Sequence, residues 1–467
     1  MPHFDFTVPV LVAGGGACGA VAALAAHDAG AVPLLVERDD RPGGSTAMSQ
    51  GLLCAAGTRF QAEAGIADSA DLFFDDIMQK ARGQADPVVA RLLADQAGPT
   101  LEWLCEKHGL PWQLETNFRA AYGNSVQRVH GWPGHSGADM IQFLHRRLGD
   151  LGIDVLLNTR LVDVIVDEAS RVCGVALLGG DGQTVRVGCD ALILACGGFA
   201  ANPDMTRAYI PEASAFRFHG HESSEGDAIL LGERLGAALG DMGSYQGYAM
   251  LADPAGQTVP PVVLMEGGIL LNADGRRFTN ELEDISGMVL PLSQQPDGMG
   301  WVVFDSTIEE ICQPIPEFRT LVSLGAVRFA DTMAGLAERM GVPEDAVAAE
   351  LSGIKAAQEK RAPDAFGRDW RDTHAPELGR FGAIRVVGAL YHTQGGLQVD
   401  GAARVVRSDG TVFPNLFAGG GSARSVSGPS CWGYLPAIGL TTALALGAVA
   451  GREAAGVASP VRDRGDR

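Results

Sequence analysis

The first residues of the chain alternate between unbroken apolar runs and glycine breaks. Residues 8–13 (Val-Pro-Val-Leu-Val-Ala) have strand length and no polar position on either face, the pattern of a parallel strand buried on both sides. Gly14-Gly15-Gly16-Ala17-Cys18-Gly19 breaks the run, and the alanine-rich residues 20–29 predict a buried helix. A second apolar run, residues 32–36, ends on Glu37. Strand, tight turn, helix and strand predict a βαβ unit and an α/β fold with a parallel sheet. Helical spacing recurs over residues 88–107 and 138–148. Residues 153–167 and 172–178 read as a hairpin-like pair of strands, and residues 183–188 and 191–195 lead into Cys196-Gly197-Gly198-Phe199. A helix is predicted over 228–236, opened by Gly226-Asp227.

From about residue 245 to 391 this order lapses. Short strands at 268–272 and 301–304, proline-rich turns and the helical stretch Glu344–Lys360 predict an inserted α+β domain. Strand-and-glycine segments return at 395–400 and 413–421. The small-residue stretch 435–451 contains Thr441, Thr442 and several glycines, which suits a buried last helix, about 440–455, better than a membrane span.

Composition narrows the function. With 467 residues, 46% hydrophobic content and 62 glycines, the chain is a globular α/β protein with room for one or two cores. A net charge of −20 excludes a nucleic-acid partner, which needs a basic face. Apolar residues 8–12 lack a preceding basic region and a cleavage site, so a cytoplasmic location is expected. None of the eight cysteines forms a C-x-x-C pair, which argues against attached haem, an Fe–S cluster and disulfides. His219 and His221 flank a glycine without a further ligand pattern, so no metal is expected.

The glycine turn carries the first chemistry. Gly14 allows the turn, Gly16 lets the backbone approach a pyrophosphate, and Gly19 lets helix and strand pack closely. Ala17 and Cys18 of the same turn are candidate cofactor contacts, and the N–H groups and partial positive charge of the helix that follows face the phosphates. Glu37 is placed to accept ribose hydroxyls, with Arg38 beside it.

The loop that follows, Arg41-Pro42-Gly43-Gly44-Ser45-Thr46-Ala47-Met48-Ser49-Gln50-Gly51, resembles the G-G-[ST]-[ST]-x-x-[ST]-x-G segment of the fumarate reductase/succinate dehydrogenase flavoprotein superfamily. The resemblance implies FAD wrapped by Gly43, Gly44, Ser45, Thr46, Ser49 and Gly51. Covalent members carry a histidine where this chain has Ser45, so non-covalent FAD is implied. Further segments extend the likeness over nearly the whole chain and imply cofactor contacts at Val162, Ala195, Gly197, Gly420, Gly439 and Leu440. Asp227 is read either as part of the family's G-D-G segment near the flavin or as a helix cap. The implied architecture is a Rossmann-like, glutathione-reductase-type FAD domain over 1–242 and 392–467. An α+β capping domain over 243–391 interrupts it, and its closure would shield the flavin from water.

The chain departs from fumarate reductases where they hold their dicarboxylate. Counted from Gly275-Arg276-Arg277-Phe278-Thr279-Asn280-Glu281, the catalytic arginine's position falls on Ile285. The clamping arginine's position falls on Tyr434 and one clamp histidine's on Tyr248, while His392 keeps the other. Without arginine a dicarboxylate loses its bidentate charge-assisted bonds. A tyrosine hydroxyl suits a neutral carbonyl oxygen. Gly433-Tyr434 is similar to the ketosteroid dehydrogenases, in which a tyrosine at this place bonds the substrate ketone. The resemblance implies dehydrogenation next to a carbonyl: Tyr434 with an N–H near the last helix polarises a ketone, Tyr248 as phenolate or His392 removes the α-proton, and flavin N5 takes the hydride. The alternatives are enoate reduction in the fumarate reductase manner and a non-catalytic electron-transfer subunit. The implied partners are a small carbonyl substrate and an electron acceptor that the sequence does not identify. His130 and His135 read as loop residues, and Trp432 reads equally as an apolar wall for a ring or as packing.

Overall fold

The computed structural model describes residues 3–116 and 120–458. The chain separates into two compact units. The first comprises Met1–Pro211, Gly220–Tyr245 and His392–Arg467, and the second comprises Glu212–His219 and Gln246–Tyr391. Residues 212–219, which the sequence placed in the first domain, thus belong to the second.

The first unit is built on an eight-stranded sheet. The first strand, Phe6–Ala13, runs parallel between Pro33–Val36 and Thr184–Leu194. Val412–Ala418 joins parallel on the far side of Thr184–Leu194, and Asp154–Leu156 on the far side of Pro33–Val36. The register sets Ala13 beside both Val36 and Leu194, Leu194 beside Ala418, and Val36 beside Leu156. Five strands therefore end at one edge, where ligands bind in open α/β sheets. Gly14, Glu37, Ala195 and Gly419 are the residues that leave that edge. The hairpin predicted from residue 153 is divided: Asn158, with φ +52°, separates Asp154–Leu156 from Thr159–Val166. Thr159–Val166 then pairs antiparallel with Val172–Gly179.

The first helix starts at Ala17, three residues before the predicted start, and spans Ala17–Asp28. The last helix, Ile438–Val457, is buried over most of its length. Their contact depends on glycine. A Cβ at Gly447 would lie 2.5 Å from the Cys18 carbonyl oxygen, and one at Gly451 would lie 2.2 Å from that of Ala22. Gly19 is equally constrained, since a Cβ there would lie 1.8 Å from the Gly14 carbonyl. Among the described residues, no helix is long and apolar enough to cross a membrane.

The second unit has its own six-stranded sheet, with Phe381–Thr393 antiparallel to Met299–Asp305 and Val327–Ala330. Trp301, Val347, Ile354 and Trp370 are buried in its core.

Candidate active site

The glycine turn and the acidic strand end are joined directly. Glu37 is buried, and its Oε2 accepts the Gly15 N–H at 2.6 Å while Oε1 accepts that of Asp39 at 2.9 Å. Gly14, at φ +110°, packs so closely on Ala195 that a Cβ would lie 2.2 Å from its carbonyl oxygen. The second glycine loop reaches the same place: Thr46 Oγ1 accepts the Ala17 N–H at 3.0 Å, at the amide end of the first helix. Ser49 closes that loop, donating from Oγ to the Thr46 carbonyl at 2.7 Å and accepting the Gly51 N–H at 3.1 Å. Gly51 has φ +66°, and its Cβ would fall 2.7 Å from that of Trp132. Ser45 lies in the helical turn Gly44–Ala47. Cys18 packs under the C-terminal glycine turn, its sulfur 2.7 Å from a Cβ built on Gly419 and its own Cβ 3.1 Å from one built on Gly420. Burial pushes its thiol up to about 12 despite its place at a helix start, so it adds no negative charge to the turn.

Gly197, at φ +78°, has its carbonyl bonded by Ser422 Oγ at 3.2 Å. Val162 lies in Thr159–Val166, its carbonyl facing Arg234 Nη2 at 3.5 Å. Asp227 does not cap its helix: Gly226 occupies that position in the left-handed region, and the Asp227 carboxylate is bound by Arg160 at 2.6 and 2.9 Å. Arg38 joins the same cluster through Glu225 at 2.9 Å and the Ser223 carbonyl at 3.2 Å.

A second group gathers at the start of the last helix. Ala437, at φ +63°, turns the chain into Ile438–Val457 without a side-chain cap, and Leu440 is buried in its first turn. The Gly439 backbone N–H acts on the Tyr434 hydroxyl in the opposite sense to burial, lowering its pKa. A Cβ at Gly439 would meet His392 Nε2 at 3.2 Å and the Tyr434 hydroxyl at 3.5 Å. The two rings meet edge-on, 5.9 Å between centroids. Burial raises the Tyr434 pKa, so it is a neutral donor. Burial lowers the His392 pKa, so its imidazole is uncharged at neutral pH. The last helix directs the positive end of its dipole toward this corner.

The second unit corrects one expectation. Tyr248 is buried and its hydroxyl donates to the Val259 carbonyl at 2.6 Å. A phenolate would lose that bond and face a carbonyl oxygen, so Tyr248 does not fit the role of phenolate base. Its ring stacks on Tyr391, whose hydroxyl shares a 2.6 Å hydrogen bond with Thr258 Oγ1. Arg277 holds Glu281 through two bonds of 2.7 and 2.8 Å and also binds Asp364 at 2.6 Å, so this buried arginine is a framework group. Ile285 is buried.

Residues 9–433 match the FAD-binding domain family. The chain belongs to this family. FAD is therefore its cofactor, and its class is that of an FAD-dependent oxidoreductase. It is 30% identical over 413 residues to an NADH:fumarate oxidoreductase of Klebsiella pneumoniae (strain 342), covering 88% of this chain and 44% of that one. It is 28% identical to a fumarate reductase (cytochrome) of Shewanella frigidimarina, covering 96% of this chain and 77% of that one. The chain thus spans less than half of the first relative and about three quarters of the second. The fold is shared with a 3-ketosteroid Δ4-(5α)-dehydrogenase from Rhodococcus jostii RHA1, at TM-score 0.77 and 23% identity, covering 97% of this chain and 98% of that one.

The FAD-binding donors fit a dinucleotide. No side chain caps the Gly16 start of the first helix, and a Cβ at Gly43 or Gly44 would meet no atom within 4 Å, leaving space before the loop. Sequence reasoning missed three supports of this cradle and its neighbouring corner. His145 Nε2 lies 2.6 Å from the Gly15 carbonyl and fixes the phosphate turn from a helix 130 residues away. Arg160 orders Asp227, and Gln394 stands against His392 at 3.1 Å. No local signal marks any of them, because each partner comes from a distant part of the chain or from a side-chain direction that spacing does not give.

Among the described residues, no group of three or more His, Cys, Asp or Glu forms a metal site. His130, read as a loop residue, lies instead in the short strand Val129–Gly131 and is buried, with Nε2 on Thr58 Oγ1 and Nδ1 on the Arg128 carbonyl, both at 3.0 Å. His135 sits 2.7 Å from Glu115, His221 sits 3.3 Å from Asp39, and Trp432 is covered by the Arg82 guanidinium at 4.3 Å.

Proposed function

We propose that the chain dehydrogenates a neutral, ring-shaped ketone, forming a C=C bond next to the carbonyl. The observation that carries this reading is the corner at the last helix. The Tyr434 hydroxyl and His392 Nε2 flank the same glycine, Gly439, and the family's arginine positions hold Tyr434 and Ile285. FAD, when bound, supplies the acceptor for the hydride.

The protein's own part concerns the carbonyl. Tyr434 donates to the substrate oxygen, the bond strengthens as negative charge grows there, and the amide end of the last helix stabilises that charge. Tyr434 keeps its proton throughout because burial raises its pKa. At Tyr434 and His392 a dicarboxylate would meet neutral donors rather than a bidentate cation. Ser45 supports non-covalent FAD, which acid precipitation would release into the supernatant. The insertion 243–391 is read as the capping domain.

Reduction of an enoate is the second reading, favoured by the reductase names of the relatives. An anaerobic titration separates the two. Bleaching of the flavin by saturated cyclic ketones supports dehydrogenation. Reoxidation of the reduced flavin by enoates, without bleaching by ketones, supports reduction. Response to neither class, only to a protein partner, would leave an electron-transfer subunit.

A further inference from the structure

The buried amide beside His392 in the last-helix corner is held from several sides. Gln394 lies two residues after His392 and is 4% exposed. Its backbone is pinned on both sides: its N–H donates to the Ser244 carbonyl at 2.8 Å, and its carbonyl accepts the Ser425 N–H at 2.8 Å. Its side chain is held as well. Oε1 accepts from Ser427 Oγ at 3.2 Å, and Ser427 is itself buried. That orientation turns the amide nitrogen toward His392, where Nε2 of Gln394 sits 3.1 Å from Nδ1 of the imidazole.

An amide nitrogen donates and does not accept. Nδ1 must therefore offer its lone pair, and a neutral imidazole has one ring proton, which then resides on Nε2. The rival partner of Nδ1 is the Thr393 carbonyl at 3.4 Å, at the long edge of hydrogen bonding. The shorter contact decides the tautomer. His392 Nε2 and the Tyr434 hydroxyl flank the same glycine, at 3.2 and 3.5 Å from a Cβ built on Gly439.

We propose that Gln394 is a positioning residue that fixes the His392 proton on Nε2, making the imidazole a second hydrogen-bond donor beside Tyr434 rather than a base. The inference that this donor serves a substrate carbonyl rests on the function proposed above; the tautomer itself does not. Two donors on one oxygen stabilise developing negative charge.

The test is a long-range ¹H–¹⁵N correlation spectrum of the FAD-loaded protein labelled at histidine nitrogen, with His392→Gln assigning the signals. The expected result is a protonated Nε2 and a bare Nδ1. In Gln394→Glu, the carboxylate should draw a proton onto Nδ1, and in Gln394→Met both tautomers should be seen. The flavin absorbance of each variant reports that the cradle is intact. A wild-type ring protonated on Nδ1, or a wild-type tautomer unchanged in both variants, would overturn the proposal. A protonated Nε2 in a protein that turns over no ketone would uphold the positioning role while the functional reading fails.

Discussion

The Glu37 carboxylate and the Gly15 amide, 22 residues apart, share a 2.6 Å hydrogen bond that ties the acidic strand end to the glycine turn. The same side chain accepts the Asp39 N–H at 2.9 Å, so one residue sets the shape of both walls of the dinucleotide cradle. Glu37→Ala should weaken FAD binding about 10- to 100-fold, the loss expected for a hydrogen bond to a charged group of about 1.5–3 kcal/mol. Calorimetric titration of the flavin-free protein with FAD measures it, and unchanged affinity would remove Glu37 from the site.

The two buried helices meet where side chains are missing. Gly451→Ala would set a Cβ 2.2 Å from the Ala22 carbonyl oxygen, and Gly447→Ala would set one 2.5 Å from that of Cys18. Each should lower stability by about 1–3 kcal/mol, the range for forcing atoms into a packed contact. Gly456→Ala, in the same helix but with no atom within 4 Å, should instead be neutral or stabilise by up to about 1 kcal/mol. Thermal melts of the three variants give the comparison.

His130 makes folding sensitive to acid. Burial lowers its pKa from 6.5 to about 4, outweighing its bond to the Arg128 carbonyl and the nearby Glu115 charge. The unfolded ring takes up a proton near 6.5, so its contribution is fully present above that pH and is lost as pH falls toward 4. At ~1.4 kcal/mol per unit, the loss amounts to about 3 kcal/mol. His145 and His392 are shifted in the same direction by burial and steepen the fall. Urea unfolding at pH 7 and pH 4.5 measures the slope, which His130→Gln should reduce.

The cradle was legible because its demands are local. A short, valine-rich apolar run bounded by glycine suits a buried strand, and the turn after it needs glycine where a Cβ would strike Ala195 or Gly14. Even so, the first helix begins at Ala17, because Gly19 serves close packing inside the helix and does not mark its start. The Tyr434 and His392 positions were legible from the resemblance, and the structure brings them to one glycine. What spacing could not show is how a hydroxyl or an imidazole spends its hydrogen bonds. The position of Tyr248 suits a base, but its hydroxyl lies 2.6 Å from the Val259 carbonyl and can only donate to it. Gln394 and His145 carry no pattern at all, since their roles arise only where distant loops and helices converge.

The central claim is that a neutral carbonyl oxygen is held by Tyr434 at the amide end of the last helix. Its most direct measurement is the change in flavin absorbance when a cyclic ketone and a dicarboxylate are titrated into the FAD-loaded protein and into Tyr434→Phe. The account predicts a saturable change with the ketone, weakened at least tenfold in Tyr434→Phe, and none with the dicarboxylate. A saturable response to the dicarboxylate that Tyr434→Phe leaves untouched would contradict it.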